Sequence, residues 1–349
     1  MLETKSSLSI DGSIGEGGGQ VLRTSLTLAL TTGRSFTMNN IRQRRAKPGL
    51  KAQHLKTVEA AREVGRAKVN GARLGSQSLV FEPSGIHSGD FHFDIGTAGS
   101  TSLVLQTILP PLSFADVSST ITLTGGTHVP WSPCFHFLDL HWLHYMRKIG
   151  FNIRLEMDAA GFYPRGGGRV LATVWPSSTR SGLCLANRGP LKRIRGISAV
   201  ANLDLSVAER QRVQAVKGLS EVSRQTEIEI LRMSSPSKGS LLLLLAEFAN
   251  SQCCFYGLGA LGKPAERVAD EAVSELLDLL ATDGAIDPYL SDQLVLPLAL
   301  SPGVSEIRTS KVTQHLTTNS EIIKKFLPVS IEIDGEIGQP GSILIRHTG

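Results

Sequence analysis

The feature that most constrains this chain is a glycine-packed turn near its start, at Asp11–Arg23. Three consecutive glycines, Gly17–Gly19, are followed at once by an apolar run, which predicts a tight turn opening into a buried element. Glycine has no Cβ, so backbone amides in such a turn can approach a charged ligand closely. The flanking Glu16, Gln20 and Arg23 favour a phosphate cradle over a purely structural turn. No Gly-Lys-Ser/Thr follows, which excludes a P-loop.

Weak internal matches predict a repeated α/β unit. The segment Ile10–Gly15 returns in altered form as Ile333–Gly338, and Gly17–Thr24 returns as Gly166–Thr173. A third glycine turn, Gly96–Ser100, also leads into an apolar stretch. Self-similarity of this kind indicates a duplicated structural unit, with the two ends of the chain meeting in one domain.

The order of apolar patterns predicts strands mixed with helices. The chain has 349 residues, of which 41% are hydrophobic and 19% charged, which suits a soluble protein with a real core and suggests two domains. Helices are predicted at 20–31, 50–64, 133–149, 208–218 and 265–281, and strands at 79–82, 91–94, 151–157, 168–175, 195–202, 227–233 and 239–248. This mixture predicts an α/β or α+β architecture in which helices pack on sheets.

Two shifts in composition predict an inserted segment. The polar stretch 176–190 precedes a new strand, and a second polar stretch, 281–288, follows the last long helical pattern. We therefore predict a large domain made of 1–183 plus 282–349, interrupted by a smaller α/β domain at 184–281.

Charge and cysteine content limit the class of protein. A net charge of +5 and a pI of about 9.1 are compatible with a polyanionic partner and do not require one. The four cysteines lack metal-ligand spacing, and the adjacent pair Cys253-Cys254 is a poor basis for a disulfide framework. The longest apolar run, Leu241–Ala246, is too short to cross a bilayer, and the N-terminus lacks a signal pattern. We expect a cytoplasmic protein with reduced thiols and no membrane partner.

A dense basic segment, Arg42–Lys56, carries six lysines and arginines. Pro48 and Gly49 fix a loop within it, and Arg42 and Arg45 flank that loop. Guanidinium groups bind phosphate oxygens in a forked geometry that lysine cannot match. The segment therefore favours binding of a nucleic acid or a terminal phosphate over the alternative, a solvated charged face.

Three further patterns have competing interpretations. Tyr256–Lys263 contains Gly-x-Gly-x-x-Gly between a strand and a helix, but Pro264 follows, which favours a loop at a helix start over a dinucleotide site. The histidines around 133–149 lack a cysteine pair or His-Glu-x-x-His, which favours structural roles over zinc. His315, in a polar β-branched stretch, is either structural or a nucleophile, since a neutral imidazole attacks phosphorus well.

Several spaced motifs run along the whole chain in a distinctive order. They are Asp11–Arg23, Arg42-x-x-Arg45-x-x-Pro48-Gly49-Leu50-x-x-Gln53-His54, Gly96–Ser100 with Leu105-Gln106-Thr107, Gly125-Gly126-Thr127, Tyr163-x-Arg165 with Gly166–Gly168, Ser291–Leu294, and Thr313-x-His315-x-x-Thr318. In this order they resemble the RNA 3′-terminal phosphate cyclases over essentially the full length. The resemblance implies a large domain of repeated βαβαββ-type units with a smaller α/β domain inserted.

The resemblance also implies a reaction. That family converts an RNA 3′-phosphate into a 2′,3′-cyclic phosphate, using ATP and a divalent metal, Mg or Mn. A histidine, which matches His315 here, attacks the α-phosphorus of ATP, releases pyrophosphate and forms histidine-AMP. AMP passes to the RNA 3′-phosphate, and the vicinal 2′-hydroxyl then attacks so that AMP leaves. RNA with a 3′-phosphate end is thus the expected partner, while the oligomeric state stays open.

The other expected site residues follow from the same resemblance. The residues expected to contact the nucleotide are Gln20, Gln106, Tyr289, Leu290, Ser291, Asp292 and Gln293. Those expected to contact the phosphates or the RNA end are Arg23, Arg42, Arg45 and Gln53. The metal is expected to bind Glu16. Many members have His-Leu-Ala-Asp-Gln where this chain has Tyr289–Gln293, so it departs from the pattern at Tyr289. A cyclase-like branch involved in ribosome assembly lacks the nucleophilic histidine. His315 therefore favours the catalytic branch over the alternative, a non-catalytic RNA-binding protein.

Overall fold

One chain path is used three times in this protein. A computed structural model describes residues 7–223 and 225–348. Within them, three segments, here called units 1 to 3, each run strand, helix, strand, helix, strand, strand. Each forms a four-stranded sheet in the order first, second, fourth, third, with the first two strands parallel and the remaining pairings antiparallel. The predicted α/β architecture of repeated units is confirmed.

Unit 1 places its first helix at the centre of the protein. Its elements are β1 (Leu8–Asp11), α1 (Gly19–Thr32), β2 (Phe36–Asn39), α2 (Ala52–Gly65), β3 (Lys68–Asn70) and β4 (Leu79–Glu82). Helix α1 is buried over most of its length because α2 and two helices of the other units contact it. A helix that is apolar nearly all round needs such cover.

Unit 2 repeats the path with a distorted second helix. Its elements are β5 (Asp90–Asp94), α3 (Thr101–Leu112), β6 (Ser119–Gly125), α4 (Phe135–Phe137), a π-helical turn (Leu138–Trp142), α5 (Leu143–Ile149), β7 (Asn152–Ala159) and β8 (Gly168–Trp175). The Ser100 hydroxyl caps α3 by accepting from the backbone N–H of Leu103 at 3.3 Å. The helix predicted at 133–149 is present as α4 and α5, with the π-helical turn between them.

A further α/β segment interrupts unit 3 after its first strand, β9 (Cys184–Leu185). Its elements are β10 (Leu191–Ala201), α6 (Ser206–Gly218), β11 (Thr226–Arg232), β12 (Gly239–Phe248), β13 (Gln252–Leu258) and α7 (Ala265–Leu280). Along β12, Leu241, Leu243 and Leu245 join the main core, whereas Leu242 and Leu244 join a second core with α7. A strand covered on both faces is apolar throughout, which explains the run found in the sequence.

Unit 3 resumes with α8 (Pro288–Ala299), β14 (Ser305–Thr309), α9 (Gln314–Phe326), β15 (Val329–Asp334) and β16 (Gly341–His347). The polar stretch around His315 is the first turn of α9, and the Thr313 hydroxyl caps it by accepting from Leu316 N–H at 3.0 Å. No helix among the described residues is long and apolar enough to span a bilayer. The predicted division into a large domain, 1–183 plus 282–349, and an inserted domain, 184–281, stays a prediction.

The sequence matches that predicted the repeat do not mark equivalent positions. Gly17–Thr24 opens α1, whereas Gly166–Thr173 leads into β8. Ile10–Gly15 ends β1, whereas Ile333–Gly338 forms the connection between β15 and β16. These pairings are wrong, because glycine-rich segments serve several kinds of turn. The turn Gly96–Ser100 is the true counterpart of the first glycine turn, since both join the first strand of a unit to its first helix.

The Gly-x-Gly-x-x-Gly pattern has a packing role. A Cβ on Gly257 would lie 2.1 Å from the carbonyl oxygen of Val268, and one on Gly259 would lie 2.2 Å from the Ser240 hydroxyl oxygen. These glycines therefore let β13 and its following loop pack against α7 and β12. The contacts support the interpretation as a loop at a helix start.

Candidate functional site

The glycine turn after β1 lies directly against α9, so the two ends of the chain meet. Gly15 and Gly17 have φ angles of 61° and 56°, the left-handed region that favours glycine. A Cβ on Gly15 would lie 2.0 Å from the Thr318 hydroxyl oxygen, so only glycine allows this approach. Glu16, between them, thereby reaches His315, with 2.7 Å between Glu16 Oε1 and His315 Nδ1.

His315 has the properties of a neutral nucleophile. Burial lowers its pKa, the nearby Arg23 and Arg45 lower it further, and Glu16 opposes them. A carboxylate can only accept, so the ring proton lies on Nδ1 and the lone pair on Nε2. The side chain is 46% exposed, which leaves Nε2 open to a substrate. A neutral imidazole oriented by a carboxylate is a known way to activate histidine for attack.

The basic segment folds back over the glycine turn. Arg45 Nη2 lies 2.9 Å from Glu16 Oε2, and Arg44 Nη1 donates to the Gly15 carbonyl at 3.2 Å. Arg42 is buried and uses Nη1 to hold the loop closed, donating to the carbonyls of Lys47 and Gly49 at 2.7 and 2.9 Å. Direct phosphate binding by Arg42 therefore stays a prediction, while its role in shaping the loop is observed.

The start of α1 forms a positively charged pocket. A Cβ on Gly19 would lie 2.6 Å from His54 Nε2 and 2.8 Å from Arg23 Nη1. Burial lowers the pKa of Arg23 to about 10, with Glu16 opposing, so the guanidinium stays charged at neutral pH. Arg23 Nη2 also donates to Gln20 Oε1 at 2.6 Å. Cations gathered at a helix N-terminus form a site for an anion.

His54 is a site residue to which sequence reasoning assigned no role. Burial, together with Arg23, Arg42 and Lys51, lowers its pKa to about 3, so the ring is neutral. Its Nδ1 accepts from the backbone N–H of Lys51 at 3.1 Å, which leaves the proton on Nε2, facing Gly19. The position of His54 inside the basic segment was the available signal.

Helices α3 and α8 supply the other side of the site. Gln106 Nε2 donates to Gln293 Oε1 at 2.5 Å, which joins two residues expected to contact the nucleotide. Asp292 is buried, and Thr313 donates its hydroxyl to Asp292 Oδ1 at 2.5 Å. Burial raises the pKa of Asp292 well above its usual value. The hydrogen bond from Thr313 lowers this pKa, and the charges of Asp287 and Glu16 raise it. The carboxyl is thus held towards its neutral form.

Asn319 connects the three helices and was missed from the sequence. Its Oδ1 accepts from Gln20 Nε2 at 3.0 Å and from the Thr24 hydroxyl at 2.7 Å, while its Nδ2 donates to the Asp292 carbonyl at 3.1 Å. One buried amide therefore ties α1, α8 and α9 together. Its place one helical turn after His315 was the available signal.

Three other expected nucleotide contacts lie in different surroundings. The Tyr289 hydroxyl donates to Glu275 Oε1 of α7 at 2.7 Å, which links α8 to the inserted segment. Leu290 and Ser291 are 0% and 1% exposed, and Ser291 donates its hydroxyl to the Pro288 carbonyl. The structure thus places these two in the core, and their contact with a nucleotide stays a prediction.

The arrangement suits a metal that arrives with phosphates better than one held by the protein alone. The described residues contain no cluster of three or more His, Cys, Asp or Glu side chains able to hold an ion. Both oxygens of Glu16 are engaged, by Arg45 and His315. Magnesium commonly takes one or two carboxylates and completes its shell with phosphate oxygens and water. Glu16 fits that use if it exchanges Arg45 for the ion.

Comparison of the sequence with known proteins points to one family. A family model described as RNA 3′-terminal phosphate cyclase matches residues 14–333. Three relatives carry the name RNA 3′-terminal phosphate cyclase. The relative from Ralstonia nicotianae is 45% identical over 94% of this chain and 94% of its own. The relative from Archaeoglobus fulgidus is 41% identical over 94% and 98%, and that from Thermococcus kodakarensis is 41% identical over 96% and 97%.

Proposed function

Since the chain belongs to the RNA 3′-terminal phosphate cyclase family, we propose that it uses ATP to convert an RNA 3′-phosphate end into a 2′,3′-cyclic phosphate. The observation that carries this proposal is the contact between Glu16 and His315, which leaves a neutral imidazole with Nε2 free. Arg23 and Arg45 of the anion pocket lie close enough to His315 for their charges to lower its pKa. Nucleophile and phosphate site are therefore adjacent.

In the first step, His315 Nε2 attacks the α-phosphorus of ATP. A nitrogen–phosphorus bond forms, the bond from the α-phosphorus to the bridging oxygen breaks, and pyrophosphate leaves. The imidazole gains positive charge. Glu16 stabilises that charge because its carboxylate accepts a hydrogen bond from His315 Nδ1–H. Arg23 and Arg45 offset the negative charge that collects on the phosphates.

In the second step, a 3′-phosphate oxygen of the RNA attacks the same phosphorus and the nitrogen–phosphorus bond breaks, which restores neutral His315. The vicinal 2′-hydroxyl then attacks the terminal RNA phosphorus and loses its proton to water, the bond from that phosphorus to the oxygen of AMP breaks, and AMP leaves. Activation is needed because a phosphate monoester has no good leaving group, whereas AMP in a phosphoanhydride is one. The neutral Nε2–H of His54 supplies a hydrogen-bond donor to these phosphates.

A divalent metal, Mg or Mn, would supply Lewis-acid neutralisation of the triphosphate, with Glu16 as its protein ligand. The neutral Gln106–Gln293 pair joins α3 to α8, and burial raises the pKa of Asp292 on α8, which favours its uncharged form; these residues make up the α3–α8 side of the site. Groups of this kind recognise a base by hydrogen bonds without adding charge. We propose this side for the adenine.

The test is covalent capture of AMP. The protein is incubated with ATP labelled at the α-phosphorus and a divalent metal, and the denatured protein is assayed for bound label. We expect label that is sensitive to acid and hydroxylamine, as a phosphoramidate is, and no label in His315→Ala. The control is His92→Ala, which removes an exposed histidine from β5.

The adenylated protein is then offered RNA with a 3′-phosphate and, separately, RNA with a 3′-hydroxyl. Only the phosphorylated end should discharge the label and yield a cyclic end. Wild-type protein that takes up no label with any divalent metal would contradict the proposal. Salt-sensitive RNA binding without ATP turnover would then favour the non-catalytic alternative.

A further inference from the structure

Two large aromatic side chains, Trp131 and Tyr163, project into solvent, and Tyr163 belongs to the motif Tyr163-x-Arg165. Trp131 is 98% exposed and Tyr163 is 68% exposed, whereas Trp142 is 1% exposed. Single exposed apolar residues are common and need no explanation. These two differ because they belong to one structural feature and lie outside the site described above.

A buried aromatic stack holds both residues in place. His128 and Phe162 pair as an isolated parallel bridge, and their rings stack at 5.1 Å with 25° between planes. Trp131 follows His128 by three residues, and Tyr163 follows Phe162 by one. Phe162 is itself fixed by the inserted segment, since its N–H donates to the Ser237 hydroxyl at 2.8 Å. Both exposed rings therefore start from a rigid base.

The backbone at Trp131 is held in a costly conformation. Its φ is 65°, in the left-handed region that bulky side chains rarely adopt. Such strain is found mostly at ligand clamps and other functional sites. The strained turn presents the indole to solvent instead of the core.

Unpaired cations accompany the two rings. Arg165 and Lys238 are exposed, and Arg165 Nη1 donates to the Pro236 carbonyl at 2.8 Å. Neither forms an ion pair within the described part of the chain. Exposed aromatic rings next to free cations are the composition of surfaces that bind single-stranded nucleic acid, where bases stack and phosphates are neutralised. A protein partner would call for a broader apolar patch.

This surface continues from the phosphate pocket. A Cβ on Gly166 would lie 2.8 Å from Ala98 Cα, and a Cβ on Gly99 would lie 3.5 Å from Gln53 Cβ. The turn Gly96–Ser100 therefore contacts both the Tyr163–Gly166 loop and the start of α2, which carries His54. An RNA strand whose end occupies that pocket can reach the two rings within a few nucleotides.

We propose that Trp131 and Tyr163 form a stacking platform for the bases of single-stranded RNA upstream of the reacting 3′ end, with Arg165 and Lys238 on its phosphates. The proposal rests on the proposed function, because it takes the RNA end as the substrate of the neighbouring site. It adds a requirement for unpaired RNA of sufficient length, which the chemistry at His315 does not impose. The occupant is the substrate strand itself.

The test compares a short and a long 3′-phosphorylated RNA. Affinity for a labelled single strand long enough to reach the platform is measured by fluorescence anisotropy, and cyclisation is measured on a dinucleotide. Base–aromatic stacking contributes about 1–3 kcal/mol per base, so Trp131→Ala and Tyr163→Ala should each weaken long-strand binding about 5- to 150-fold. Dinucleotide cyclisation and adenylation by ATP alone should be unchanged.

Two controls make the result specific. Trp131→Phe keeps a stacking face and should retain most of the affinity, and Leu261→Ala removes an equally exposed side chain elsewhere, at 107% exposure, without effect. Unchanged long-strand affinity in both alanine variants, with adenylation intact, would overturn the platform. A change of oligomeric state in Trp131→Ala with unchanged RNA affinity would assign the surface to a protein and equally overturn it. Failure of adenylation in the wild type would instead contradict the proposed function.

Discussion

The imidazole of His54 stands so close to Gly19 that a methyl group on this glycine would lie 2.6 Å from Nε2. The same methyl group would lie 2.8 Å from Arg23 Nη1. Glycine at the first residue of α1 is therefore what lets a neutral donor and a cation share one pocket. Any side chain there must push at least one of them away.

We expect Gly19→Ala to weaken phosphate binding without weakening the fold. Alanine favours a helix over glycine by about 1 kcal/mol, so the thermal midpoint should hold or rise. Displacing hydrogen bonds to charged phosphates costs about 1.5–3 kcal/mol, so the ATP concentration for half-maximal adenylation should rise about tenfold or more. Gly89→Ala is the control, since the atom nearest to a Cβ at this position, Phe91 Cζ, would lie 4.0 Å away. Unaltered ATP dependence in Gly19→Ala would contradict this account of the pocket.

The pH dependence of adenylation should follow the pKa of His315. Burial lowers that pKa below 6.5 and Glu16 partly restores it, so the reactive neutral ring persists into mildly acidic solution. In Glu16→Gln the pKa falls further, and the acidic limb of the rate should move to lower pH. The plateau rate should drop about 10- to 150-fold, because a charge-assisted bond worth about 1.5–3 kcal/mol is lost as the imidazolium forms.

The control for Glu16→Gln is Glu59→Gln on α2, which removes only the ion pair with Lys56. Single-turnover capture of labelled AMP across pH measures both the plateau and the limb. An acidic limb that moves to higher pH in Glu16→Gln would show that Glu16 does not raise the pKa of His315.

The buried carboxyl of Asp292 should make stability depend on pH. Its pKa is raised well above 3.8 in the folded protein, so the folded state binds more protons than the unfolded state once the pH exceeds 3.8. Stability should therefore fall as the pH rises from 3.8 towards the folded pKa. Asp292→Asn keeps the acceptor for Thr313 and removes the titration, so its stability relative to wild type should grow over that range.

Urea unfolding at a series of pH values measures this difference. Asp292→Ala serves as the contrast, because it leaves the Thr313 hydroxyl without its acceptor and should be about 1–3 kcal/mol less stable than Asp292→Asn at every pH. A pH-independent difference between wild type and Asp292→Asn would mean that folding leaves the pKa of Asp292 unshifted.

Asn319→Ala should loosen the junction of the three helices. It removes the acceptor of Gln20 and Thr24 and the donor to the Asp292 carbonyl, and we expect a loss of about 1–3 kcal/mol in unfolding free energy. Thr317→Ala, on the same helix, is the control, since its hydroxyl bonds only within the first turn. Equal stability of the two variants would exclude Asn319 as a structural tie.

Much of the fold can be predicted from the sequence, because a helix or strand that is buried on one side has apolar residues at regular spacing. The long amphipathic helix α7 begins at its predicted residue, 265, and ends one residue before the predicted 281. Several elements were not predicted, and the short strands β1, β2 and β3 and helix α9 are examples. They are brief or start with polar, β-branched residues, so local preference does not reveal them and tertiary packing decides.

The candidate site divides in the same way. Glu16, Arg23 and Arg45 stand out because glycines and clustered cations mark a phosphate pocket in any sequence. Gln293 carries no such local mark, and only the resemblance to a family pointed to it. The residues alone left His315 as either structural or a nucleophile, and the resemblance favoured the nucleophile. Asn319 and His54 act through partners far away in the chain, and no local pattern reports a partner that the fold supplies.

The threefold use of one chain path has a consequence for how the site is built. The first helix of each unit reaches the site: α1 brings Gln20 and Arg23, α3 brings Gln106, and α8 brings Asp292 and Gln293. One backbone path, used three times, thus supplies a cation, amides and a buried carboxyl with a raised pKa. The chemical differences among the three helices lie in their side chains and not in the course of the backbone. The inserted segment lies at the junction before α8, which the other two units form as a short turn.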